Sequence, residues 1–317
     1  MSKNKKIVVI GGGTGSFMVL SALRDYPVDL TSVVSMADDG GSTGRLRDQY
    51  GVLPPGDIRR ALVALSNTSK TLRDLFNYRF KGGDLKEHSF GNIFLSALEK
   101  ITGSFGESVD VASKILNIKG QVLPVTLSRI TLCAELANNS VIRGETNIDI
   151  RKKNPEVPIK KVWLEPAASI NPRAKKAILG ADMIVIGPGD LFTSLIPNFL
   201  VRGMSAVLKK SSAKKVYVCN LMTKMGETQG FKAPDFVVSI EKYLGKGVLG
   251  HVIFNNKKPS NEILKKYSSE KSFFIEPPDA FTSSNNTKYI CADLLDGGRF
   301  VRHNPRKKLA KVLISLL

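Results

Sequence analysis

Two glycine-rich segments near the start of the chain, each directly following an apolar run, set the strongest limit on how it can fold. The first, KKIVVIGGGTGS over 5–16, reads as a buried parallel strand, a glycine turn and a helix start. The second, LTSVVSMADDGGSTGRLR over 30–47, repeats that order and adds the carboxylates Asp38 and Asp39 and the guanidinium groups Arg45 and Arg47. Glycines let backbone N–H groups come close to a ligand, and a helix N-terminus favours anionic groups such as phosphate. Together the segments imply a site for a phosphate-bearing ligand at the C-terminal ends of adjacent strands.

The rest of the chain extends this pattern. Strands are expected over 7–10 and 30–35, and helices over 14–25, 56–66, 90–101 and 108–116. The segments 121–126 and 129–136 are strand-like, Asn138-Asn139-Ser140 is a turn, and 141–145 returns, which predicts an inserted antiparallel hairpin. A short strand follows at 162–164. Alternation then resumes with a helix over 174–179, a strand over 182–186, a helix over 197–210, a strand over 216–219, a helix over 237–244 and a strand over 248–254. An amphipathic basic helix is expected over 305–317. The fold class that results is α/β: a Rossmann-like, doubly wound, mostly parallel sheet in a single domain over 1–317, with a strand-rich insertion over 121–165.

Composition narrows the classes of function. The chain has 317 residues, 42% of them hydrophobic, enough for a substantial core. No stretch approaches the ~20 apolar residues of a membrane span, and the apolar run at 7–10 is ended by glycines too early for a signal peptide. Cys133, Cys219 and Cys291 are far apart with no metal-ligand spacing, so a reducing cytoplasm is the expected compartment. The formal net charge of +19 raises nucleic acid as a partner. The basic clusters are scattered and no aromatic RNA-binding signature interleaves with them, so a solvated basic surface is the preferred reading.

The candidate site residues follow from the loops. In Gly11-Gly12-Gly13-Thr14-Gly15, Gly11 and Gly13 fit a dinucleotide fingerprint, but Ser16 stands at its third position, and no P-loop lysine follows. Asp38 or Asp39 suits a ribose, Mg²⁺ held through water, or the positioning of a nucleophile. Adjacent residues on an extended chain point to opposite sides, so one of the two is expected to face the ligand. Of Arg45, Arg47, Arg59 and Arg60, at most two are expected to point inward. Asn92, at a Gly-Asn helix start, is a candidate amide reader, whereas the nearby His88 reads as structural. Gly187 and Gly189, with Thr193 and Ser194, form a second strand-to-helix cradle in which Asp190 reads as an N-cap. Asn220, with Thr223, Gly226, Glu227 and Thr228, follows another strand. Arg302 is a candidate ligand contact, and Asn304 before Pro305 reads as an N-cap. No nucleophile–base pairing and no metal-ligand spacing stands out, so no metal ligand is assigned. Asp38 and Asp39 are the catalytic candidates only if the protein is an enzyme.

VIGGGTGS, ADDGGSTGRLR, PPGDIRRALVALS, HSFGNIFLSALEKITG, VLPVT, IVIGPGDLFTSLIPNFLV, VYVCNLMTKMGETQGF and VRHN occur in that order along 9–304. This ordered set resembles the bacterial gluconeogenesis-factor (YvcK-like) family, related to CofD-like 2-phospho-L-lactate transferases. The resemblance implies a cytoplasmic protein that binds a UDP-sugar, in particular UDP-N-acetylglucosamine. It also implies a role in cell shape and cell-wall precursor balance during gluconeogenic growth, exerted through a protein partner. By resemblance, Gly11–Gly15 approach the phosphates, Asp38 or Asp39 takes the acidic position of the transferase relatives, and Arg302 matches an arginine of the nucleotide-sugar site. The family loop that often reads GPGS ends here in Asp190, a carboxylate that repels a diphosphate unless it points away or acts through a cation. The alternative that the resemblance leaves open is a Mg²⁺-dependent transferase acting on a nucleotide-diphosphate-activated substrate. A homodimer is compatible with the chain and is not compelled by any segment.

Overall fold

The computed structural model describes residues 4–278 and 287–317. Three strands open the chain: β1 (Lys5–Gly11), β2 (Val28–Val34) and β3 (Gln121–Pro124). Three more, β4 (Thr131–Leu136), β5 (Val141–Arg143) and β6 (Ile159–Glu165), form a small separate sheet. The last four are β7 (Met183–Ile186), β8 (Lys214–Val218), β9 (His251–Asn255) and β10 (Lys288–Ala292). The main sheet has seven strands in the order β10-β9-β8-β7-β1-β2-β3, all parallel.

The centre of this sheet is covered on both faces, which is why its strands are continuously apolar. Ile7, Val8, Val9 and Ile10 of β1 are at most 2% exposed, and Met183, Ile184, Val185 and Ile186 of β7 are fully buried. From β1 the chain winds outward through β2 to β3. It then returns to the other side of β1 at β7 and winds outward again to β10. Connections therefore leave β1 and β7 in opposite directions, and a crevice opens beyond their C-terminal ends, where ligands bind in folds of this kind.

The helices are α1 (Gly13–Leu23), α2 (Gly41–Tyr50), α3 (Gly56–Leu65), α4 (Lys70–Asn77), α5 (Phe90–Thr102) and α6 (Phe105–Ile115). Then follow α7 (Glu145–Asp149), α8 (Pro172–Leu179), α9 (Ile196–Phe199), α10 (Met204–Lys210), α11 (Ala233–Leu244), α12 (Asn261–Ser269) and α13 (Ala310–Ser315). Helical spacing explains which faces are inside: Ile58, Ala61, Leu62 and Leu65 of α3, at i, i+3, i+4 and i+7, are all buried. At Gly15, a Cβ would stand 1.9 Å from the Pro188 carbonyl oxygen. Only glycine there lets the loop after β7 lie directly against α1.

The α/β class and the antiparallel hairpin agree with the sequence reading. β4 pairs with β5 across the Asn138–Ser140 turn, and β6 joins on the other side of β4. Several boundaries move. The strand-rich insertion does not begin at 121, because β3 is the edge strand of the main sheet. The helix expected over 197–210 divides into α9 and α10 at Gly203, whose φ is +92°. The C-terminal helix begins as a π-helical turn, Pro305–Leu309, before α13, and Asn304 caps it by accepting from the Lys307 N–H at 3.0 Å. α2, α4, α7, α12 and β10 were not expected from the sequence. α2 opens with Gly-Ser-Thr-Gly, a poor helix-forming run that forms because its buried Leu46 and Arg47 are held by the surrounding fold.

Candidate functional site

The crevice holds a cavity of about 290 Å³ at the ends of β1 and β7. One wall is the glycine turn and first turn of α1, Gly12, Gly13, Thr14 and Gly15, joined by Gly189 and Ser194 from the loop after β7. The other wall is acidic: Asp38 after β2, Asp57 at the start of α3, Glu145 and Asp149 on α7, and Asp190. Arg60 of α3 is the arginine among the lining residues. This is a local reversal in a chain with 47 Lys and Arg against 28 Asp and Glu.

Glycine leaves room for the carboxylates to lie against the backbone. A Cβ at Gly12 would lie 2.4 Å from Asp57 Oδ2, and one at Gly56 would lie 2.4 Å from Asp38 Oδ2. Asp38 accepts from the Gly40 N–H at 3.0 Å. Burial nevertheless pushes its carboxyl above the ordinary range, against the pull of Gly40, Thr43 and Arg60. Asp57 is raised by burial and by Asp38 beside it. Glu145 is raised to about 9, by burial first and then by Asp38, Asp149, Asp39 and Asp57. A cluster whose members raise one another in this way is stabilised by any added cation.

Behind this wall sits a cation of the chain itself. Lys224 Nζ contacts Asp149, lies 2.8 Å from Asp190 Oδ2 and 3.4 Å from Glu227 Oε1. Burial alone would lower the ammonium, but Glu227, Asp190 and Asp149 hold it well above its ordinary value. One oxygen from each of these three carboxylates falls within 4.8 Å of the others, a spacing that would suit a metal ion if the ammonium were not among them. Glu227 is raised by burial and by Asp190. It accepts from the Phe192 N–H at 2.8 Å and from the Thr193 hydroxyl at 3.0 Å. The π-helical turn Leu191–Leu195 is thereby tied to this knot.

A second hollow, of about 230 Å³, shares Thr14 and Gly15 with the first. Its walls include Met18, Asn220, Met222, Tyr267, Arg302 and His303. Arg302 is exposed, with its guanidinium 5.2 Å from the Phe300 ring centroid. Burial lowers the His303 imidazole to about 4, so it is neutral near pH 7. Its Nε2 donates to the Cys219 carbonyl at 3.2 Å. Asn220 donates to the Gly189 carbonyl at 2.9 Å and so fixes the second cradle.

Of the residues predicted from the sequence, Gly12, Gly13, Thr14, Gly15, Asp38, Gly189 and Ser194 line the cavity, and Asn220 and Arg302 line the adjoining hollow. Gly11 and Gly187 sit at the ends of β1 and β7 behind that lining. Asp39 points the other way: its carboxylate accepts from the Glu145 and Thr146 N–H groups at 3.0 and 2.8 Å and bolts α7 to the crevice. Asn92 is buried, accepting from Arg59 Nε at 3.0 Å and donating to the Ser42 hydroxyl at 3.3 Å. Arg45 lies in a different cavity and donates to the Lys86 carbonyl at 2.8 Å. The Thr193 hydroxyl is committed to Glu227. Asp57, Glu145, Asp149, Lys224 and Tyr267 join the site from outside the candidates that the sequence offers. The i, i+4 pair Glu145/Asp149 and the i, i+3 spacing of Lys224 to Glu227 are the local signals for three of them.

A family model described as 2-phospho-L-lactate transferase CofD matches residues 7–295. The gluconeogenesis factor of Bacillus subtilis is 39% identical, with 100% of this chain and 99% of that protein covered. A homologue of the same kind from Nostoc is 46% identical over 99% of this chain and 69% of its own length. The crystal structure of a Bacillus halodurans protein described as a member of the UPF0052 family superposes with a TM-score of 0.93 at 37% identity, covering 99% of this chain and 100% of that one. Among the described residues, no helix is long and apolar enough to cross a membrane.

Proposed function

Because the chain belongs to the gluconeogenesis-factor family and contains that family's CofD-like domain, we propose that it binds a nucleotide sugar, UDP-N-acetylglucosamine, across the crevice. In this reading the bound state regulates cell shape and cell-wall precursor balance during gluconeogenic growth, through a protein partner. The observation that carries the reading is the pairing of the glycine wall with the adjoining hollow. The start of α1 and the Gly189 loop offer backbone amides to a diphosphate. The adjoining hollow, with Tyr267, Met18, Met222 and Arg302, offers apolar surface and a guanidinium to a nucleoside.

The acidic wall adds a condition. A diphosphate facing Asp38 and Asp57 is repelled unless a cation stands between them. These residues fit Mg²⁺, an ion that takes hard oxygen ligands and is commonly held by one or two carboxylates together with substrate phosphates. Asp38 and Asp57 would hold it, and it would supply charge neutralisation there. Asp190, the residue that departs from the family loop, is neutralised by Lys224 and so does not bar the diphosphate.

Arg302→Ala is expected to weaken UDP-N-acetylglucosamine binding by ~1–3 kcal/mol, the range for losing a charged hydrogen bond. Unchanged affinity in a folded variant would contradict the reading. A second reading, Mg²⁺-dependent transfer from a nucleotide-diphosphate-activated substrate, is favoured by Asp38. With Asp39 committed to α7, Asp38 is the carboxylate of that pair left to orient an attacking hydroxyl. Phosphorus NMR of the bound ligand separates the two: an intact UDP-sugar supports binding, and turnover supports transfer.

A further inference from the structure

On the other side of the 38–47 segment from the crevice, between α2 and α5, lies a cavity of about 480 Å³. That volume is within the range of small-molecule sites. Its body is apolar, with Leu46, Tyr50, Leu85 and Ile93 on the walls, and its charged lining residues are Arg45 and Lys100 against Asp84. The other polar residues lining it are Gln49, Ser96 and His88, and His88 is only 6% exposed.

The hydrogen bonds around His88 fix which of its nitrogens can serve a ligand. The Ser42 hydroxyl accepts from the Ser89 N–H and from Asn92 Nδ2, both at 3.3 Å. A hydroxyl that already accepts twice has only its own proton left to give. That proton goes to His88 Nδ1, 3.2 Å away. Nδ1 is therefore an acceptor, and in the neutral ring the proton sits on Nε2. Burial, with Arg45 and Arg79 nearby, keeps the ring below its ordinary value and hence neutral at pH 7. Among the described residues Nε2 has no hydrogen-bond partner.

We propose that this cavity is a second ligand site, taking a small organic anion with an apolar or aromatic body. The His88 Nε2–H, Arg45 and Lys100 recognise its anionic group, and Leu46, Tyr50 and Ile93 enclose the body. The site is separate from the crevice: no lining residue of this cavity lines the acidic one. It stands whether or not the crevice binds a nucleotide sugar.

The test uses the full chain and 2-naphthoate as the probe, with calorimetry and with NMR of the histidine-labelled protein. Its His88, His251 and His303 are the complete set of histidines in the chain. The expected result is saturable one-to-one binding that shifts the His88 ring signal and leaves those of His251 and His303 in place. The uncharged analogue 2-naphthalenemethanol should bind at least about tenfold more weakly, as expected when charge-assisted hydrogen bonds are lost. Ala97→Trp and Lys100→Glu change exposed positions on α5 and leave its buried face intact. Each should weaken 2-naphthoate by about tenfold or more. Absence of saturable binding, an unmoved His88 signal, equal affinity for the alcohol, or unchanged affinity in both variants would each overturn the proposal.

Discussion

The two walls of the crevice are built from opposite materials. The Gly12–Gly15 and Gly189 wall offers backbone and almost no side chain, and its shape depends on glycines packed against carbonyl oxygen and carboxylate. The facing wall is made of side chains, Asp38, Asp57, Glu145 and Asp149, drawn from three places in the sequence, and burial with crowding holds the carboxyls of Asp38, Asp57 and Glu145 above the ordinary range. The first wall is fixed by sterics and favours an anion. The second is set by electrostatics and favours a cation. A ligand that satisfies both carries negative charge and brings or recruits positive charge, a condition that the proposed nucleotide diphosphate with a divalent ion meets.

The largest expected effect of a single substitution at neutral pH breaks the glycine wall. Gly15→Ala places a Cβ against the Pro188 carbonyl, which is backbone and cannot rotate away. A loss of about 3 kcal/mol in folding stability is expected, the upper end for overpacking. Urea unfolding checks this, and a loss under about 1 kcal/mol would mean the two loops are not packed as described.

Next in size is the chain's own cation. Lys224→Met leaves Asp149, Asp190 and Glu227 without it. The side chain is 32% exposed, so the cost is placed at about 2 kcal/mol, below that for breaking a fully buried pair. Millimolar Mn²⁺ or Mg²⁺ should recover part of it, because the freed carboxylates have metal-ligand spacing. A thermal shift with no dependence on divalent ions in the variant would show that Lys224 does not stand in for one.

The last effect accumulates with pH and sharpens the acidic wall. Glu145, raised from 4.5 to about 9, keeps a proton in the folded protein that the unfolded chain releases. Its contribution to stability is fully present below about pH 4.5 and is lost as pH rises toward 9, by at most about 1.4 kcal/mol per pH unit. Glu145→Gln removes this slope, so the variant should overtake the parent in stability as pH climbs from 6 to 9 in EDTA. Parallel pH profiles of the two proteins would contradict the crowding of the carboxylates.

The contrast also explains what was legible in the sequence. The glycine wall is local: a strand, a turn and a helix start lie within 5–16, and the order of residue types alone predicts it. The alternation of an extended chain predicts that Asp38 and Asp39 point to opposite sides; Asp38 lines the cavity and Asp39 turns to α7. Which of the two lines the cavity depends on α7, more than 100 residues later, whose first N–H groups claim Asp39. Glu145 and Asp149 arrive on a five-residue helix between β5 and β6 of the small antiparallel sheet, so no spacing near Asp38 announces them. Asn92 and Arg45 are polar residues beside a glycine or aspartate pair, as ligand contacts often are, yet tertiary packing commits Asn92 to Arg59 and Ser42 and turns Arg45 toward another cavity.

The most direct test is calorimetry of the full chain with UDP-N-acetylglucosamine, in Mg²⁺ and in EDTA, for the parent and for Asp38→Asn. The account predicts saturable binding in Mg²⁺ that falls sharply in EDTA and in the variant. Equal affinity in all of these conditions, or no binding in any, would contradict a ligand held between an amide wall and a cation-dependent acidic one.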